Sequence, residues 1–229
     1  MSVIDIYYIE DLEKIRGLKE NENHTINLFG NLFFHDIDSY RYASSYFKFL
    51  EEYNKDKELY KGFEPIDLKG ELVEFYGYKH LIKDLFINRE NENNVGLFNC
   101  CKNTIFNVYE LDIENAMIKG KDNVGILAGT MNGEVDKCNI EGVVEGISNV
   151  GALVGKSSKY FFTAQSPVKA NVLGQSIVGQ IIGNANIVST YNQVFDGFAN
   201  VEQSNKIVIT ENVCGVSKQY NDTFGPKLV

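Results

Sequence analysis

The stretch NVGALVG, Asn149 to Gly155, decides how this chain is read, because it recurs. NVGILAG runs from Asn123 to Gly129, NVGLF from Asn94 to Phe98, and a looser relative, IVGQIIG, from Ile177 to Gly183. The first glycines of the four phrases, Gly96, Gly125, Gly151 and Gly179, are separated by 29, 26 and 28 residues. Three phrases close on a second glycine: Gly129, Gly155 and Gly183. A nearly fixed period in the twenties is the sequence mark of a solenoid.

Between the phrases, segments such as TIFNVYELDIENAMIKG and GEVDKCNIEGVVEG place apolar residues at every second position, which predicts strands. In the third unit, which holds the second of these, Val135, Cys138, Ile140, Val143 and Ile147 are expected to point inward. Gly133, Gly142 and Gly146 would turn the corners, where glycine tolerates positive φ. Roughly three short strands and three bends per unit make one coil of a β-helix. Leu97, Ile126, Ala152 and Ile181 would stack as one buried rung, with Phe98, Leu127, Leu153 and Ile182 beside them. Leucine-rich repeats need a leucine and asparagine pattern that is missing, and residues 94 to 215 hold no long 3.6-period stretch.

The run NVGILAG, GEVDKCNIEGVVEG, NVGALVG resembles the GLUG motif family. YYIEDLEKIRGL resembles the short helix that opens such domains, INLFGNLFFHDID the first strand, and FEPIDLKGELVEFYGYKHLIKDLFI the start of the first full coil. The likeness covers residues 3 to 38 and 62 to 155 and fades through 215. It implies a right-handed parallel β-helix of the kind found in bacterial adhesins. The expected architecture is therefore mainly β, about four to five coils, with an N-terminal capping helix around Ile9 to Leu18 and one inserted helix. Residues 1–60 would form the N-terminal cap with its insert, 61–215 the coils, and 216–229 a C-terminal cap or tail.

Two stretches depart from the repeat and are the candidates for function. In YRYASSYFKFLEEYNKDKELY, residues 40 to 60, Tyr42, Tyr46, Phe49 and Tyr53 recur at helical steps, with Glu51 and Glu52 between them. This reads as a helix that either packs on the stack or protrudes to meet a partner. In KSSKYFFTAQSPVKANV, Tyr160, Phe161 and Phe162 read as an aromatic cluster on an outward loop, a cap or a contact surface.

Charge narrows the partners. The net charge is −9, and residues 1 to 115 carry 22 acids against 13 bases while residues 116 to 229 carry 9 of each. Such a first half repels phosphate backbones, so no direct nucleic-acid binding is expected. No stretch has the roughly 18 apolar residues of a membrane helix, and the start reads as lacking a secretory signal. The adjacent Cys100 and Cys101, with Cys138 and Cys214 far off, favour a reducing cytoplasm over a disulfide framework.

Catalysis finds little support in these residues. Asp36 with Asp38, and Glu110 with Asp112 and Glu114, are same-face carboxylate sets if on strands, but three arginines, none in the regular repeats, leave few groups to stabilise developing charge. His24, His35 and His80 are scattered, so no metal or cofactor is expected. The expectation is a non-enzymatic protein-binding β-helix, monomeric or homodimeric. Its main reading is a cytoplasmic inhibitor that sets acidic groups against the basic channel of a nucleic-acid-handling complex, as phage anti-CRISPR proteins do. An adhesin-type surface module and a polysaccharide-acting enzyme are the alternatives.

Overall fold

A computed structural model describes residues 1–55, 59–100, 102–191, 195–203, 206–209 and 214–219, with side chains described as far as Val188. Short strands wind into a parallel β-solenoid of about four turns. A full coil carries four strands where three were expected, as in Asp122–Val124, Ala128–Thr130, Gly133–Asp136 and Asn139–Glu145. Each strand pairs in parallel with its counterparts one coil away: Ala128–Thr130 lies between Phe98–Cys100 and Val154–Ser157. The stacks form sheets of 12, 8 and 3 strands among the described residues. Two stacks fuse because the long strand Ile182–Tyr191 pairs with Val154–Ser157 through its first half and with Phe161–Ala164 through its second.

The repeated phrase is the corner between two of these stacks, and its residues divide the work differently from the expectation. Asparagine takes the left-handed conformation, with φ of 61° at Asn94, 58° at Asn123 and 54° at Asn149. Asn tolerates that region better than most side chains. The three amides also bond along the axis: Asn123 Nδ2 donates to Asn94 Oδ1 at 2.7 Å and Asn149 Nδ2 to Asn123 Oδ1 at 2.8 Å. The glycines of the phrase are there for close backbone approach. A Cβ at Gly155 would stand 2.2 Å from the Val124 nitrogen, and one at Gly129 2.1 Å from the Asn94 carbonyl carbon. Gly96, Gly125, Gly151 and Gly183 are packed as tightly against neighbouring backbone; Gly179 pairs in register with Gly151. Among the three expected corner glycines only Gly133 has a positive φ, at 137°.

Leu97, Phe98, Ile126, Leu127, Ala152, Leu153, Ile181 and Ile182 are fully buried. Their register differs at the last step. Gly151 lies over Gly179, so Leu153 N donates to Ile181 O while Ala152 N meets Gln180 O. Val135, Cys138 and Ile140 point inward as expected. Val143 does not, because alternation from Ile140 places Gly142 and then Val144 inside, and Ile147 is 38% exposed. Gly142 lies in register between Ala116 and Ala170, a run of small residues in that stack.

The parallel stack opens at Ser2–Ile6, which pairs with Asn23–Leu28, inside the segment read as a cap. Ile9–Gly17 is a 3-10 helix that buries Ile9, Leu12 and Ile15. It packs on both Ser2–Ile6 and the edge strand Ile66–Leu68. His24, the buried histidine here, ties this first coil together through Ser2 Oγ at 2.7 Å and Lys19 O at 2.8 Å. At the other end Lys206–Ile209 pairs antiparallel with Asn200–Gln203. The cap expected over 216–229 lies outside the described residues beyond Gln219.

Candidate functional site

Between Leu32–Phe33 and Ile66–Leu68 the chain leaves the stack. His24 pairs with Val73, a step of 49 residues, where Gly133 pairs with Phe161 only 28 positions on. The excursion opens with a 3-10 turn, Ile37–Ser39, capped by Asp36, whose Oδ1 accepts the Asp38 amide at 3.0 Å. Asp36 and Asp38 are therefore parts of a turn and not a same-face pair on a strand. The α-helix Ala43–Lys55 follows.

Carboxylates of the first coil hold the start of this helix. Asp11, 1% exposed, accepts the amides of Tyr7 and Tyr8 and bonds Lys14 at 2.8 Å and Arg41 Nη2 at 2.7 Å. Burial pushes its carboxyl up, but Lys14, the two amides and Arg41 outweigh that and draw it down to about 2. The Arg41 guanidinium also lies 4.7 Å from the Tyr8 ring centre. Glu10 accepts the amides of Arg41 and Tyr42 at 2.9 and 3.4 Å, so a negative charge sits at the positive end of the helix dipole.

The helix divides the predicted contact residues between two faces. Tyr46 and Phe49 are half-buried and pack on the core. With Tyr53 they join His35, Tyr40 and Tyr60 in a cluster with centroids 5.2 to 6.3 Å apart. These three are anchoring residues, although the sequence grouped them with Tyr42. The outer face carries Phe47, 60% exposed, and the exposed Glu51 and Glu52, and Tyr42, 61% exposed, stands immediately before the helix. Phe47 was missed because it breaks the helical spacing of the other aromatics. No residue of the helix is fully buried.

Below the helix is a cavity of about 280 Å³. Its aromatic walls are Phe34, Tyr40, Phe49, Tyr60, Phe63 and Phe86. Tyr60 lies parallel to Phe86 at 5.7 Å, and Phe34 meets Phe63 edge-on at 5.6 Å. Burial, with the nearby Glu52 and Tyr53, pushes the Tyr60 hydroxyl up to about 12. Ile9, Gly62 and the acidic Glu10, Glu13, Glu64 and Asp84 complete the lining.

The second expected aromatic site is a part of the scaffold. Phe161–Ala164 is a strand, Phe161 is 1% exposed and faces the core opposite Gly133, Phe162 is half-buried, and Tyr160 is 39% exposed. The expected loop fails because its residues alternate inward and outward in register with the coil before them.

A further aromatic row lies at the ends of successive strands. Tyr7, Phe29 and Tyr78 are 50, 41 and 47% exposed, and Phe29 stacks on Tyr78 at 5.5 Å. Tyr76 continues the row to Tyr109 at 5.2 Å. The signal was present in DIYY, NLF, FYGY and NVY, which the sequence reading absorbs into the opening helix, the first strand and the coils.

Of the candidate acids of the enzyme alternative, Asp112 and Glu114 share the outward face of the strand Asp112–Lys119, either side of the buried Ile113. Glu110 sits at a corner with φ 54°, Asp112 accepts Asn139 Nδ2 at 2.7 Å, and Glu114 lies 3.7 Å from Lys83. Burial pushes the Cys138 thiol up to about 12, and Cys100 is also buried. Cys101 and Cys214 have no described side chain.

Fold and surface together define a parallel β-solenoid with a helical insert over an acidic, aromatic cavity. No protein-family model matches the chain. It is 33% identical over 115 residues to Halomucin from Haloquadratum walsbyi, an alignment that covers 48% of this chain and 1% of that protein. Its fold is similar to a solved structure from Bacteroides ovatus, provisionally described as an immunoglobulin A1 protease, with a TM-score of 0.54 and 14% identity over 84% of this chain and 66% of the other. No described helix is long and apolar enough to cross a membrane.

Proposed function

We propose that this chain is a non-enzymatic recognition module of adhesin type, built on GLUG-like repeats and working at a cell surface, with the outer face of the helix Ala43–Lys55 as its contact. The observation that carries this reading is the helix itself. It is pinned from below by aromatic rings and the Asp11–Arg41 pair, yet Phe47 on it and Tyr42 just before it are each about 60% exposed. Large apolar side chains on a rigidly held element are the usual material of a contact surface. The relative is by name a mucin, which supports the surface setting over the cytoplasmic one. The non-enzymatic half draws support from three of the candidate carboxylates, Asp36 engaged in a cap, Asp112 bonded by Asn139 and Glu114 beside Lys83.

Fractionation of the producing cells tests the setting. Recovery from the envelope or medium is expected, whereas recovery only from the cytoplasm would return the inhibitor reading, which rests on the acid excess of the first half. Adhesion of purified protein to intact producing cells tests the surface. Tyr42→Ser with Phe47→Ser should lower adhesion about tenfold, as loss of two contact aromatics implies. Product formation from a polyuronate would overturn the non-enzymatic reading.

A further inference from the structure

The cavity under the helix has a composition that selects its ligand. Six aromatic residues form its walls, four acidic residues stand among the rest of its lining, and among the described residues neither lysine nor arginine lines it. Neutral apolar molecules need no carboxylates, and anions would be repelled by them. Aromatic faces attract cations through the ring quadrupole, most strongly where water is excluded. The chain already uses this attraction beside the cavity, where the Arg16 guanidinium stands 5.9 Å from the centre of Phe63. Arg16 itself is already engaged, donating to Glu13 Oε2 at 2.7 Å and to the carbonyls of Pro65 and Glu64 at 2.8 and 2.7 Å, which leaves Glu13 paired. Glu64 itself is exposed at the mouth, and Asp84 accepts Asn115 Nδ2 at 2.6 Å on the far side.

Size narrows the class further. About 280 Å³ is at the small end of ligand pockets. It suits a head group and not a folded peptide. A primary ammonium would keep its water and its hydrogen bonds; a quaternary ammonium has no N–H to satisfy and presents methyl groups to the rings.

We propose that the cavity bounded by Phe49, Tyr60, Phe63 and Phe86 is a binding site for a small quaternary ammonium compound of the choline type. The cation sits against the aromatic walls, and Glu64 supplies its counter-charge. This site is separate from the outer helix face and stands if that face proves inert.

The test is a calorimetric and NMR titration of the full chain with choline and with 3,3-dimethylbutan-1-ol, its uncharged isostere. Choline is expected to bind about tenfold more tightly than the isostere. Tyr60→Leu should weaken choline about fivefold or more while leaving the isostere unchanged. Glu64→Gln, at an exposed position that leaves the fold intact, should weaken choline alone and remove part of its salt dependence. Equal affinity for the two compounds would overturn the proposal, as would absence of choline binding or shifts that fall outside the cavity. Adhesion of Tyr42→Ser with Phe47→Ser is read separately, so failure of one site does not disguise failure of the other.

Discussion

The coils between Asn94 and Val188 and those before them are built on one plan under different discipline. In the later coils Phe106, Gly133, Phe161 and Val188 follow one another in register at steps of 27, 28 and 27 residues. In the earlier ones Ser2, His24, Val73 and Phe106 do so at 22, 49 and 33. Both halves stack in parallel into the same sheets. The difference teaches that a coil needs only its neighbours' strand edges and rungs, so the chain can leave at a corner and return without breaking the stack. The early coils use that freedom to carry a helix, a cavity and two aromatic clusters.

The comparison breaks most sharply at the regular corners. Gly155→Val would drive a side chain into the backbone of Asn123 and Val124, where nothing can yield. A loss of about 4 kcal/mol or more is expected, read as collapse of cooperative thermal unfolding. An early-coil surface change such as Phe47→Ser should do nothing comparable.

Asp11 joins the insert to the first coil, and its removal is the next largest effect. Asp11→Asn should cost about 2–3 kcal/mol, less than a fully buried pair because Arg41 is partly exposed. Its folded carboxyl lies near 2 against an ordinary 3.8. The folded value is depressed, so the stabilisation is fully present above about pH 4 and is lost as pH falls through about 2. Denaturant melts at stepped pH should show wild type and variant converging on acidification; a gap that persists at pH 2 contradicts this origin.

A third substitution sharpens the plan of the later coils. At the fourth phrase Ile177 holds φ 52° where the other copies have asparagine. A β-branched residue is strained there. Asn184 donates to Asn149 Oδ1 at 3.0 Å in its place. Ile177→Asn should raise stability by about 1 kcal/mol, seen as a higher denaturation midpoint with unchanged slope. The smallest expected effect is that of Tyr42→Ser with Phe47→Ser, whose stability should stay within about 0.5 kcal/mol of wild type while adhesion falls.

The solenoid was legible because its corners need particular residues at a particular spacing, and no side-chain chemistry elsewhere imitates that. What each residue does at the corner was less so. Asn and Gly stand two apart in the phrase, and only backbone geometry shows that the first turns the chain and the second admits its neighbour. The insert was legible as a helix, but periodicity names a face without saying which way it looks. Tyr46, Phe49 and Tyr53 are that face and it looks inward; Phe47 and Tyr42 look out. The cavity was not legible at all, since its walls come from positions between Ile9 and Phe86 that only coil stacking brings together.

Native-state hydrogen exchange resolved by residue tests the central claim, that the later coils are one cooperative scaffold and the helix an element resting on it. Amides of Ala128–Thr130, Gly133–Asp136 and Val154–Ser157 should exchange only through global unfolding. Those of Ala43–Lys55 should open at a markedly lower free energy, because no residue of that helix is fully buried. Equal protection of helix and strands, responding together to denaturant, would contradict the account.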